Sequence, residues 1–538
     1  MRTRIIVLVL VATIASRVAA QQVDKEKLRK LARFPSMSFE FRLNFVAHSE
    51  FAAAEQKPKT EEIAALQKEM KGDASDAERY QRLGELYLRL EDSVRAQESF
   101  VKAADLYRRQ VESKPNDGRL LTQFGNALWF AGKGEEAETA LRQAVKVAPQ
   151  ERQGWESLGQ VLQSKATLLL VSRSEGFNFT FGFPSEDYGK LLAQSLKDKP
   201  SPEQIAQAQK LIDESSDCYD KAVAAAPQDP LAYMNRGAFR TTRGIVQSMI
   251  RALRGERVNP SDVIYPPDAV ADLREAARLS PDDWRALTMA VNAEMFSSVL
   301  RYQKDPPESG LEEMLSAQSK QFLREATTNL EKLLQTNNSR DAAGAAEVLG
   351  ILQFALWREP SRAEASFRRA IALDPSRDQT WELLGGLMME AKRTEELLSL
   401  CQQRLKHKDT ARNRILLAKV YAETDQLDKA EEQVQAALKL EPNDFTANLA
   451  LAALLIRRSS DASTLLQAGE RLAKAGQVLK ESPPHKQWID STLTRGIYLA
   501  LNGDVEAAEK QLKQVLEHDE DNEDAKEALQ TIGKGSES

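Results

Sequence analysis

The chain has 538 residues, 42% of them hydrophobic, 29% charged and only 6% aromatic, with a formal net charge of −6. That is the composition of a helix-rich globular protein several ordinary domains long. Acidic and basic residues interleave throughout, so no basic stripe suits a nucleic acid.

The first twenty residues read as a separate object. Arg2 and Arg4 precede the apolar run IIVLVLVATIA (Ile5–Ala15), and the small residues Val18 and Ala20 stand before Gln21. This three-part pattern predicts a secretory signal peptide over residues 1–20. The run is shorter than the roughly 20 residues a bilayer span needs; an uncleaved membrane anchor is the rival reading. No cysteine follows the run to carry a lipid. The expected chain is therefore exported, periplasmic or extracellular and bacterial, with no stable membrane span after cleavage. Removal of Arg2, Arg4 and Arg17 leaves the mature chain more acidic. Export permits disulfides, but the two cysteines, Cys218 and Cys401, lie in separate helical stretches and are expected as buried thiols.

Residues 21–76 form a non-repeat N-terminal segment. Within it SFEFRLNF (Ser38–Phe45) places Phe39, Phe41, Leu43 and Phe45 at every second position. A later stretch, GFNFTFGFP (Gly176–Pro184), does the same with Phe177, Phe179, Phe181 and Phe183. Period two marks a strand with one apolar face, and such a strand needs a partner for its backbone. The economical expectation is a small β-hairpin-like pairing of residues 38–45 with 177–183, lying against the first repeats. The rivals are an open edge that accepts a partner's strand and a membrane contact through exposed phenylalanines. NFT (Asn178–Thr180) and NNS (Asn337–Ser339) match a glycosylation sequon, which carries little weight in a bacterial chain.

From residue 77 onward a pattern recurs. YQRLGELY (Tyr80–Tyr87), WESLGQVL (Trp155–Leu162) and WELLGGLM (Trp381–Met388) share large-x-x-Leu-Gly-x-x-large. Each unit continues with small, large and small residues, as in Ala96, Phe100, Ala103 and in Ala137, Leu141, Ala144. Pro149, Pro375 and Pro442 close units, where proline stops the second helix. Gly125 to Gly159 spans 34 residues, and Ala418 to Ala452 also 34. The pattern resembles the tetratricopeptide repeat family, whose unit is a pair of antiparallel helices. The resemblance implies an all-α, right-handed superhelical solenoid of about ten units over residues 77–520. Their first helices would begin near Ala77, Gly118, Arg152, Pro230, Trp284, Ala343, Asp378, Ala411, Phe445 and Ile489. The unit near Ala343 fits only with one residue slipped. Departures from the spacing place insertions near 171–203, 254–270, 303–310 and 457–488. Residues 521–538 read as a capping helix and tail, which a stack of repeats needs to cover its last apolar face.

Nothing in the chain spells catalysis. His48, His407, His485 and His518 are not spaced as metal ligands, and no phosphate loop or nucleophile elbow occurs. Glu135–Glu136 and Asp282–Asp283 fall at helix starts, where they complement the dipole. No enzyme activity, cofactor or metal is expected. The resemblance instead implies that first helices line a concave groove that receives a partner protein or peptide. It puts Gln81, Glu85 and Arg89 of the first unit there, Asn126, Trp129 and Phe130 of the second, and Glu156 and Gln160 of the third. The lysine that some relatives use to grip a C-terminal carboxylate is missing: Gln81, Glu85, Thr122 and Asn126 stand at the gripping positions. Trp129 and Phe130 read either as an aromatic anchor or as packing beneath the N-terminal segment. The candidate partner-binding residues are Asn126, Trp129, Phe130, Phe177, Phe179, Phe181 and Phe183. The expected role is a non-catalytic scaffold or adaptor of the cell envelope or secretory space. The rivals are an exported carrier of a small ligand or glycan, held by the insertion loops, and a regulatory subunit of an exported enzyme.

Overall fold

A computed structural model describes residues 24–34, 56–70, 76–90, 92–170, 200–256, 265–301, 311–336, 338–478 and 485–533. Among the described residues the regular structure is helical throughout, with no strand. The expected signal peptide (1–20) and both halves of the expected β-pair (38–45 and 177–183) lie outside them. Phe177, Phe179, Phe181 and Phe183 lie there too.

In chain order the helices are α1 (Lys25–Leu31), α2 (Gln56–Met70), α3 (Ala77–Arg89), α4 (Ser93–Ser113), α5 (Gly118–Phe130), α6 (Gly134–Val147), α7 (Arg152–Leu170) and α8 (Pro202–Ala225). There follow α9 (Pro230–Leu253), α10 (Pro267–Leu279), α11 (Trp284–Arg301), α12 (Leu311–Met314), α13 (Ala317–Leu333), α14 (Ser339–Ile351) and α15 (Pro360–Leu373). The last are α16 (Asp378–Glu390), α17 (Thr394–His407), α18 (Ala411–Glu423), α19 (Leu427–Leu440), α20 (Phe445–Arg458), α21 (Ala462–Val478), α22 (His485–Leu501), α23 (Val505–His518) and α24 (Glu523–Gly533). They fall into two compact units. One takes its helices from Leu43–Arg377; the other joins the segment up to Arg42, which holds α1, to Asp378–Ser538.

The building block is a pair of consecutive helices, such as α3 with α4, α5 with α6 or α18 with α19. Its start is chemical. Asp76, Asp117 and Asp444 each accept a hydrogen bond from an amide in the first turn of the following helix, satisfying a donor the helix cannot pair itself. Its crossing is steric. A Cβ on Gly125 would sit 2.5 Å from Leu141 Cγ of the paired helix, closer than any real contact. Glycine is therefore required for α5 and α6 to approach as they do.

The turn inside the pair repeats a backbone conformation. Gly132 and Gly503 have φ of 83° and 91°, and at the matching place of other pairs Lys392 and Asp425 have φ of 56° and 58°. All four stand seven residues after the crossing position, Gly125, Gly385, Ala418 or Gly496. The slipped pair, α14–α15, solves its extra residue locally. A π-turn over Leu352–Leu356 absorbs it, and the left-handed residue becomes Arg358, φ 52°, one place later. The first helix there starts at Ser339, ahead of the expected Ala343.

First helices differ in how much of their circumference is buried. Every residue from Ala342 to Ile351 of α14, and every residue from Ala447 to Ile456 of α20, is buried. A helix apolar all round demands cover on all sides. For α20 that cover includes α21, which occupies much of the stretch 457–488, and α1 from the far end of the chain. Glu347 of α14 is buried but paired with Arg377 at 2.7 Å. Cys218 and Cys401 are free and buried, and burial pushes both thiols up to about 12. At the C-terminus α24 buries Ala525, Ala528 and Ile532, and its start is held by Asn522, which accepts from the Ala525 amide at 3.0 Å.

Candidate partner-binding face

The first helices α3, α5, α7 and α9 are joined side by side. Gln123 of α5 donates to Glu78 of α3 at 3.2 Å. Thr122 Oγ1 of α5 stands 3.3 Å from where a Cβ on Gly154 of α7 would be. Arg152 of α7 reaches Asp229, the N-cap of α9, at 2.9 Å. Arg152 also pairs with Glu156 one turn along, and Asn235 of α9 lies near enough to that carboxylate to act on its charge. These contacts join the helices that carry the expected groove positions.

The chemistry of that row is acceptor-rich. Gln81 donates to Glu85 at 3.3 Å, which leaves its own carbonyl oxygen buried without a partner. One oxygen of Glu156 is buried without a partner as well. Burial raises the Glu156 carboxyl above its usual range, against the pull of Arg152 and Asn235. Tyr107, on the second helix α4, is 1% exposed, and its hydroxyl also lacks a partner. Burial raises this phenol, and the carboxylates of Glu78, Asp76 and Glu85 raise it further. Several neighbouring cations are already engaged: Arg82 with Glu62 at 2.8 Å, Arg79 with Asp76 at 3.2 Å, and Arg152 as above. A buried acceptor without a donor is costly.

The two aromatic candidates separate. Trp129 is half-buried and packs among the helices of its own and the following pair, beside Leu128, Leu141 and Leu158. Gly134 fits beneath its ring, where a Cβ would come within 3.4 Å. Helix α2 packs elsewhere, its Ile63 and Leu66 sitting with Leu86, Tyr87 and Phe100. Phe130 is 40% exposed and stacks on Phe100 at 4.8 Å between ring centroids. Asn126 is half-buried on α5 and Gln160 exposed on α7. Gln123 and Asn235 join this row without having been expected, Gln123 one residue beside an expected groove position, whereas Tyr107 of α4 is buried in the core with Ala77, Leu120 and Leu128.

Among the described residues no group of His, Cys, Asp and Glu converges to hold a metal ion, and no helix is long and apolar enough to cross a membrane.

Family models for the tetratricopeptide repeat match residues 77–110, 122–165 and 411–444. A TPR repeat-containing protein from Dictyostelium discoideum is 38% identical over 53 residues, which is 10% of this chain and 20% of that protein. The match thus spans about one fifth of the relative's length. Similar solved structures include yeast Tom70, at 15% identity and TM-score 0.36, covering 91% of this chain and 96% of that one. YrrB, a TPR protein with an unusual peptide-binding site, gives 19% identity and TM-score 0.29 over 37% of this chain and 97% of its own. PilF from Pseudomonas aeruginosa gives 21% identity and TM-score 0.30 over 39% of this chain and 90% of its own.

Proposed function

We propose that this tetratricopeptide-repeat chain is a non-catalytic protein-interaction scaffold that receives a basic, extended segment of a partner protein along α3, α5 and α7. The observation that carries the reading is the pair of buried, unpartnered acceptors on that row, Gln81 Oε1 and one oxygen of Glu156. Glu78 and Glu85 flank Gln81 on α3, Glu78 accepting from Gln123 and Glu85 from Gln81 with Arg82 at 3.6 Å. An arginine or lysine laid along the row would pair with the carboxylates of Glu78 and Glu85 and offset the acidic potential that the buried acceptors add to. Phe130, exposed at the end of α5, offers an apolar contact next to the charged one. The aromatic segment with Phe177, Phe179, Phe181 and Phe183 is a second proposed contact. The signal-like N-terminus supports an exported scaffold of the cell envelope or secretory space.

The test is fluorescence anisotropy with a labelled arginine- and lysine-bearing dodecapeptide and a neutral peptide of the same length. The basic peptide should bind, weaken with added salt, and lose at least about tenfold in affinity with the double change Glu78→Gln and Glu85→Gln. Equal binding of both peptides, or no effect of the double change, would refute the basic partner. The export setting is checked separately, by sequencing the N-terminus of the secreted protein, which should begin at Gln21.

A further inference from the structure

Part of the row of first helices in the unit that holds α1 is already occupied. Helix α1 lies against α20, α22 and α24, so the start of the chain rests on the first helices of its end. Leu28, Leu31 and Ala32 are buried in that contact. Around them polar groups match: Lys27 pairs with Glu527 at 2.8 Å, Arg33 with Asp524 at 2.6 Å, and Arg29 donates to Ser459 at 3.2 Å. Burial raises the Asp524 carboxyl, with Arg33 acting against that rise. The segment Asp24–Arg33 carries five basic and two acidic residues; its main partners on α24 are acidic.

Helix α1 has only seven residues. A helix so short does not persist in water by itself, so its order comes from the surface it rests on. The contact has the anatomy of an amphipathic peptide in a groove: apolar anchors at i, i+3 and i+4, with charges on the flanks. No neighbouring helix along the chain takes part, since α1 is followed by residues that lead into α2 of the other unit. It is attached to its groove only as a ligand on a tether would be.

We propose that the surface of α20, α22 and α24 is a helix-binding site and that α1 is its built-in, exchangeable ligand. The site selects a short basic helix with Leu, Leu and Ala at i, i+3 and i+4. While α1 is seated, this part of the repeat face is closed to other helices of that kind. Once α1 is removed, a separate peptide of the same sequence takes its place.

Hydrogen exchange on the full chain is the first measurement. Leu28→Asp should speed exchange at residues 24–33 and 523–533 together by at least tenfold, and leave α3–α6 unchanged. Unchanged protection of 523–533 would overturn the proposal. The second measurement uses a chain lacking residues 24–34 and a synthetic peptide of residues 21–34. One peptide should bind per chain, and the peptide carrying Leu28→Asp and Leu31→Asp should bind at least tenfold more weakly. A folded truncated chain that ignores the peptide would also overturn it. If the truncated chain fails to fold, the full chain decides. Arg33→Asp should lose protection of 24–33, and the added change Asp524→Arg should restore it. Failure of that restoration counts against the site.

Discussion

Helices α5 and α20 hold the same place in their pairs, yet they live differently. In α5 the buried residues are interrupted by half-buried Gln123, Asn126 and Trp129 and by exposed Phe130. In α20 ten consecutive residues are buried, Asn448 among them, that asparagine being satisfied by donating to the backbone oxygens of Pro442 and Asp444 at 3.1 and 2.9 Å. The contrast teaches what a first helix reports about its surroundings. A mixed circumference belongs to a face left free for something else; an apolar one belongs to a face the chain has covered itself, here with α1.

The comparison breaks most visibly if burial is cut on both sides. Leu449→Ala, at 0% exposure in α20, should cost about 2–5 kcal/mol. Leu88→Ala, 40% exposed at the end of α3, should stay within about 0.5 kcal/mol. Urea unfolding followed by hydrogen exchange in each unit reads both, and similar costs would erase the distinction. Next in size is a steric test on the open side. Gly125→Val puts a methyl-bearing carbon into Leu141 and should destabilise by about 1–3 kcal/mol in thermal unfolding.

A smaller effect sharpens the electrostatic side. Folded Glu156 holds its proton more tightly than the unfolded chain, whose value is near 4.5. The native state therefore binds the extra proton between that value and the raised one, and stability falls as pH rises through the window. Glu156→Gln should remove this fall, so its stability relative to wild type should improve as pH rises above about 4.5 and level off once wild-type Glu156 is ionised, read in urea titrations. A constant difference would show that the carboxyl is not held up by burial. The thiols give the smallest signal. With Cys218 and Cys401 pushed up to about 12, neither should react with a disulfide reagent at pH 8 until the chain unfolds. Reaction of one thiol alone in the native state would mark its helix as loosely packed.

Much of the fold was legible because repetition writes the same physics many times. The crossing glycines, the large residues beside them and the closing prolines predicted helix pairs, and family models find the repeats at three places. Even the odd unit showed in the sequence as a one-residue slip; the structure places the extra residue in the π-turn, with the left-handed Arg358 eight residues after Gly350 instead of seven. The left-handed turns at Lys392 and Asp425 were not legible, because neither residue type advertises that conformation as glycine does. On α3, α5 and α7, repeat position pointed to Gln81, Glu85, Asn126 and Glu156 as groove residues. It could not reveal that an oxygen of Gln81 and one of Glu156 lack donors, because that depends on side-chain geometry across helices. The seat of α1 had no periodic signature at all. Its anchors, Leu28, Leu31 and Ala32, meet helices nearly the whole chain away. The uninterrupted apolar surface of α20 stated a need for cover without saying what would provide it.

That seat sets an order of events in synthesis. Arg29 of α1 precedes its partner Ser459 by 430 residues, and α24 comes later still. At about 5–20 residues per second, the wait between them is on the order of half a minute to two minutes. Through that interval α1 has no groove and, at seven residues, no helix of its own to keep. Residues 24–33 are thus made long before the surface they rest on, and their seat is complete only after α20, α22 and α24 have all followed.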